Sequence, residues 1–235
     1  MRRVSKIVAA AEPGGDVEAV RQLGQEALNS GADAIVLVGS LTPKGADARD
    51  YGQMLKTLAA AQLPAFYIPG PDDAPFSEFL REAANFEVVF PHLRGVHGTF
   101  AIAPGYVLVA GMGGTISDAP DTERDEVNTL SYTAWEVEYR LKSLLELKDY
   151  QKVFLFSTPP EHKGRGEKGS TVLAELIKKH NPRFVVVPGD QPKQELLGKS
   201  LVVSPGSLAA GNFALLDLRR QQVTLGAVEQ LAKAS

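Results

Sequence analysis

The chain of 235 residues contains no cysteine. Disulfides, thiolate nucleophiles and zinc–cysteine sites are therefore excluded. Histidine is scarce, at four residues, which limits any chemistry built on imidazole ligands or bases. Charge of one sign is also lacking. A formal net charge of -3 gives no reason to expect nucleic acid or an acidic membrane surface as partner. Long hydrophobic runs are missing too. The N-terminal "MRRVSKIVAAAEPGG" has two arginines, but its apolar stretch is too short for a signal-peptide core or a membrane span. A cytoplasmic protein is expected. With no internal repeat, low-complexity tract or linker, residues 1–235 are expected to form a single domain.

What is present suits a globular protein with a substantial core: 44% of residues are hydrophobic and 23% charged. Short runs rich in Val, Ile, Leu and Ala recur, each closed by Gly, Pro or Ser or running on into polar sequence: "VSKIVAAA", "ADAIVLVG", "LPAFYIPG", "YVLVAG", "KVFLFS", "RFVVVPG", "SLVVSPG" and "FALLDL". They predict strands buried on both faces. Between them, apolar residues recur at helical spacing over 16–29, 47–61, 75–84, 131–148 and 170–180. Ser170 is placed to cap the last helix and Pro182 to stop it. A hairpin-like stretch of strands over 86–111 interrupts the strand–helix alternation, which argues for α/β architecture with mixed sheets. Residues 112–131, polar and glycine-led without an apolar period, predict a functional loop or lid.

Ligands of open α/β sheets bind beyond the carboxyl ends of the strands. The polar segments there are "EPGGDVEAV", "GSLTPKG", "GPDDAP", "STPPEHKG" and "GDQPKQ". Each has an ordinary reading. "PGGD" is a glycine turn with Asp16 capping a helix, and as a phosphate loop it lacks both the Walker lysine and the dinucleotide fingerprint. His162, in a proline-flanked loop, reads by itself as a surface residue.

The order and spacing of these strand ends resemble the calcineurin-like metallophosphoesterase family over nearly the whole chain. In that family the first strand ends in Asp-x-His-Gly and the second in Gly-Asp. The third ends in Gly-Asn-His-Asp or Glu, a later one in His before Pro-Pro, and the next in Gly-His-x-His. The surroundings match: "GDVEAV" opens the first helix, "KVFLFSTPP" precedes the proline pair, and "SLVVSPGSLAAGNFALLDL" is similar to the closing strands. The resemblance implies a four-layer α-β-β-α sandwich of two mixed β-sheets.

The same comparison shows the family's metal ligands replaced. Glu12 stands at the first aspartate, Gly14 at the first histidine and Ser40 at the bridging aspartate. Pro71 replaces the ligand asparagine, and Asp72 the histidine that assists the leaving group. Ser157 holds the next histidine position, while Asp190 and Pro192 hold the last pair. Asp73 is retained, and in the family that residue orients the neighbouring histidine. Two cations sharing a carboxylate need a bridging anion and imidazoles, which serine, glycine and proline do not supply.

Glu12, Asp72, Asp73 and Asp190 are expected to line one cleft, with Ser40 and Ser157 beside them and His162 at the rim. Clustered carboxylates raise one another's pKa unless Lys44, Lys163 or Lys193 offsets them, or one Mg²⁺ or Ca²⁺ ion binds through oxygens. The expected cofactor is none. The expected function is a family member without two-metal chemistry that binds a small ligand or a protein partner at the old active-site cleft. The alternative is a phosphoric-ester hydrolase with an oxygen-rich site and one divalent cation. A homo-oligomer is compatible with either.

Overall fold

The computed structural model describes residues 3–119, 125–161 and 169–227. In chain order the first half runs β1 (Lys6–Ala11), α1 (Val17–Asn29), β2 (Ala34–Val38), α2 (Ala48–Ala60), β3 (Ala65–Ile68), α3 (Phe76–Val89) and β4 (Leu93–Gly95). Then come β5 (Thr99–Ala103), β6 (Val107–Met112), β7 (Thr115–Ser117), β8 (Ser131–Thr133) and α4 (Ala134–Arg140). The remainder is β9 (Gln151–Phe156), α5 (Thr171–His180), β10 (Phe184–Val186), β11 (Lys193–Leu197), β12 (Ser200–Ser204), β13 (Asn212–Asp217) and β14 (Gln222–Ala227).

The strands form two mixed six-stranded sheets, ordered β14-β13-β1-β2-β3-β4 and β11-β12-β10-β9-β6-β5. In the first, β1 to β4 are parallel and β13 and β14 antiparallel. In the second, β6, β9, β10 and β12 are parallel, flanked by antiparallel β5 and β11. Side chains alternate across each strand, so every central strand serves two cores. Ile7, Val36, Phe66 and Ile68 of the first sheet meet Val109, Val153, Leu155 and Val186 of the second between the sheets. Val8, Leu37 and Tyr67 face outward onto α1, α2 and α3. Phe154, Phe156 and Val185 face outward beneath α4 and α5. The result is the four-layer sandwich that the resemblance implied.

All eight predicted strands form. Asp16, Asp47 and Ser170 cap α1, α2 and α5 with their side-chain oxygens, and Asn181 closes α5 in a left-handed conformation. Three expectations are corrected. Residues 131–148 are not one helix: β8 opens the segment, α4 follows, and Lys142–Leu145 form a 3-10 turn. Val137, Leu141 and Leu144 are buried even so, because a short helix and a tighter turn keep the apolar residues facing inward. Residues 86–89 continue α3 rather than begin a strand, and Val88 and Val89 stay exposed. The 112–131 segment is not wholly irregular, since β7 and β8 pair in parallel and Ile116 and Leu130 are buried.

That segment is held by two polar clasps. The His97 ring accepts from the Gly113 N–H at 2.9 Å through Nδ1, and its Nε2 lies 3.0 Å from the Tyr132 hydroxyl. Tyr132 donates to Glu126, which also accepts from Arg140. Burial, helped by Arg140, pulls the His97 pKa down to about 3, so the ring stays neutral and keeps its acceptor nitrogen. Asp118 accepts from Ser170 Oγ at 2.7 Å, Thr171 Oγ1 at 2.6 Å and the Thr171 N–H, which ties the segment to the start of α5.

The carboxyl ends of β2 and β3 approach one another at glycines. A Cβ on Gly70 would lie 2.2 Å from the Ser40 nitrogen, and one on Gly39 would lie 2.2 Å from the Gly70 nitrogen. Gly70→Ala therefore forces backbone against backbone and is expected to destabilise by about 2 kcal/mol or more. Urea denaturation measures this, and a loss below about 0.5 kcal/mol would contradict the contact.

Candidate functional site

Five strand ends bring the sequence-predicted residues to one end of the sandwich. After β1, the Glu12 N–H donates to Val38 O at 2.9 Å, and Ser207 Oγ donates to Glu12 O at 3.2 Å. Glu12 sits at φ 51, an uncommon conformation for a residue with a Cβ. The following turn is fastened to the β2 end, where Gly14 N–H donates to Ser40 O and Gly15 N–H to Leu41 O. Gly14 has φ +56, and no atom lies within 4 Å of where its Cβ would stand. A side chain at this position would thus meet open space.

Ser40 and Asp72 meet across the β2 and β3 ends. Ser40 Oγ accepts the Asp72 N–H at 3.1 Å and donates to Asp72 Oδ2 at 3.3 Å. Pro71 and Asp72 are exposed at the turn. Asp73 points the other way and is wholly buried. Its Oδ2 accepts from Leu41 N–H at 2.7 Å and Gly70 N–H at 2.8 Å, and its Oδ1 from Thr42 N–H at 3.0 Å and Thr42 Oγ1 at 2.9 Å. Burial raises its pKa against these four hydrogen bonds, which favour the charged form.

On the second sheet, Ser157 follows β9 and is buried, with Oγ donating to Gly114 O at 2.9 Å. Asp190 follows β10 and is exposed, and Pro192 is half-buried in the same turn. Glu12 joins the two sheets electrostatically. Its pKa is raised by burial, then by the negative charges of Asp190 and Asp72. Glu12, Gly14, Ser40, Asp72 and Asp190 are therefore neighbours, whereas the carboxylate of Asp73 is spent inside the fold. His162 and Lys163 lie outside the described residues. Lys44 is exposed, and Lys193 pairs with Glu195. Both ring nitrogens of His97 are already engaged.

Sequence reasoning missed Thr42 and Ser207. Thr42 stood in the quoted "GSLTPKG" two residues beyond Ser40, the one available signal. Ser207 reaches Glu12 only because residues Ala11 and Ser207 bridge in parallel, a pairing that no local pattern announces.

Comparison with known proteins agrees with this fold. Residues 47–228 match the family described as metallophosphoesterase, calcineurin superfamily, and the chain belongs to that family. The crystal structure of TT1561 of Thermus thermophilus is similar at 51% sequence identity and TM-score 0.91, over 96% of this chain and 99% of that one. A further crystal structure matches at 27% identity and TM-score 0.86, again over 96% of this chain and 99% of the other. No protein of curated function matches the sequence. Among the described residues, no helix is long and apolar enough to cross a membrane.

The neighbouring aspartates should respond oppositely to the same change. In Asp73→Asn an amide N–H₂ faces two of the four donors, so about 3 kcal/mol of stability should be lost. Asp72→Asn, at the exposed turn, should stay within about 0.5 kcal/mol of the parent. Equal losses in chemical denaturation would overturn the division between a structural and a cleft aspartate.

Proposed function

We propose that this protein is a metallophosphoesterase-fold member without the two-cation chemistry of its family, which binds a small ligand or a protein partner at the cleft between the two sheets. One observation carries the reading. The Ser40 hydroxyl, at the position implied for the bridging carboxylate, is hydrogen-bonded to Asp72. A neutral hydroxyl does not balance two cations as a bridging carboxylate does. The other donors there, Glu12, Asp72 and Asp190, are carboxylates, and among the described residues no imidazole accompanies them. Among the described residues, no three acidic, histidine or cysteine side chains are grouped to hold a metal ion. The donors among the described residues do not fit a pair of Mn, Fe or Zn ions.

A second reading rests on Glu12, whose pKa is raised by burial and then by the nearby negative charges of Asp190 and Asp72. One hard cation such as Mg²⁺ or Ca²⁺ would offset that charge through oxygen ligands. Hydrolysis of an aryl phosphate diester in Mn²⁺ is expected to match the control without protein. Turnover abolished by chelation would overturn the first reading. A melting temperature that rises in millimolar Ca²⁺ or Mg²⁺, and no longer rises in the Asp72→Asn/Asp190→Asn double variant, would establish the second.

Glu12 also gives a pH signature. Its folded pKa lies above the ordinary glutamate value of 4.5, so the native state favours the protonated acid. The resulting stabilisation is present below that value and is lost as pH rises through the raised one. Glu12→Gln removes this dependence. Between pH 4.5 and neutrality its stability should vary less than the parent's, and at neutral pH it should equal or exceed it. Lower stability of Glu12→Gln at pH 7 in chelator would show that the charged form is favoured after all.

A further inference from the structure

The other end of the second sheet carries the opposite charge. Lys152, the second residue of β9, is only 3% exposed, and among the described residues no carboxylate pairs with it. Such burial is rare for an unpaired lysine, because removing an ammonium from water is costly. Lys152 Nζ donates to the carbonyls of Lys148 and Tyr150, each at 3.1 Å. An ammonium has three N–H groups, so one remains.

Lys152 lines a cavity of about 460 Å³ together with Lys148, Lys179, His180, Tyr150 and Leu145. No lining residue is acidic. Asp149 lies beside Lys148 in sequence and favours the charged form of Lys152, but it lines a separate recess with Arg3 and Gln151. The His180 ring sits edge-on to Phe154, with centroids 5.9 Å apart. Burial and the charges of Lys152 and Lys179 lower its pKa, which leaves a neutral ring with one N–H donor. Basic residues in the last turn of α5 are ordinary complements to a helix C-terminus. That preference does not account for a buried lysine contributed by a different element, β9, and facing the same cavity.

We propose that this cavity is a binding site for a small multiply charged anion of the phosphate class, free or as an ester, held by Lys152, Lys148, Lys179 and His180. The anion supplies counter-charge inside the cavity, where Asp149 does not reach, through charge-assisted hydrogen bonds from ammonium groups. Tyr150 and Leu145 provide an apolar wall for the organic part of an ester. The volume falls in the range of small-molecule pockets and exceeds the needs of a bare phosphate. Lys152 and Ser157 lie at opposite ends of β9, about 16 Å apart along an extended strand. The site is thus separate from the Glu12 cleft, and neither proposal depends on the other.

Calorimetric titration of the full chain in low-salt, phosphate-free buffer tests the site, with inorganic phosphate and AMP as probes. At least one probe is expected to bind with a Kd below about 10 mM, more weakly as salt is added. Lys148→Gln and Lys179→Gln alter exposed side chains that the fold does not need. Each should weaken binding about tenfold, the worth of one charge-assisted contact. Lys152→Met should abolish it if that variant folds. Tighter binding of AMP identifies an ester as the ligand, and equal binding identifies the free anion. Failure of both probes to bind, or binding unchanged in both glutamine variants, overturns the proposal.

Discussion

The buried carboxylate of Asp73 is the point on which this end of the molecule depends. Two loops leave parallel strands side by side, and each carries backbone N–H groups that the sheet can no longer satisfy. Asp73 collects three of them, from Leu41, Thr42 and Gly70, together with the Thr42 hydroxyl. A buried N–H without a partner is costly, so a single side chain fixes both loops at once. The close approach of Gly39 and Gly70 follows from the same pairing, since Asp73 spans the two loops only if their backbones nearly touch. Ser40 and Asp72 are then presented to one another. The turn is thus held from inside by Asp73, while its neighbour Asp72 stays at the surface.

The folding pattern was legible where one local rule decided the outcome. Buried parallel strands read as continuous apolar runs, and every such run became a strand. Asp16, Asp47 and Ser170 cap helices because their side chains satisfy N–H groups within three residues. What stayed illegible was set by tertiary partners. The 131–148 segment carries helical spacing throughout, yet Ser131–Thr133 finds a strand partner in Thr115–Ser117 and leaves the helix. Val88 and Val89 look like strand residues but end an exposed helical turn. At the site, Glu12, Ser40, Asp72 and Asp190 follow apolar runs that the sequence marks as strands. It gave no warning that Asp73 faces inward and Asp72 outward, because adjacent residues in a turn bear no fixed relation to a sheet face.

Charge is distributed along the strands of the second sheet in a way that net charge conceals. The carboxyl ends face Glu12, Asp72 and Asp190, whereas the start of β9 carries Lys148 and Lys152 with Lys179 and His180 beside them. Both groups shift in the direction that desolvation dictates: the acid upward, the lysine and histidine downward. Each end therefore gathers partly buried charge, of opposite sign. Interactions of this kind persist where water is partly excluded and fade where salt screens them.

Glu12 shows how closely the cleft is tied to the sandwich itself. A left-handed backbone at a residue with a Cβ costs about 1 kcal/mol or more and persists only where surrounding contacts overdetermine it. Here the Glu12 N–H is held by Val38 of β2, while its carbonyl is held by Ser207, which comes from the far end of the chain and bridges Ala11. The strained residue is thus fixed by β2 and by the Ser207 segment, and its side chain is left in the field of Asp190, which follows β10 of the second sheet. Repulsion between those carboxylates acts across the gap between the sheets, against the apolar core that holds them together. Whatever neutralises that charge, a proton or a bound cationic group, relieves the repulsion without loosening the hydrogen bonds that fix Glu12. The charge state of Glu12 and the packing of the two sheets consequently share one electrostatic term.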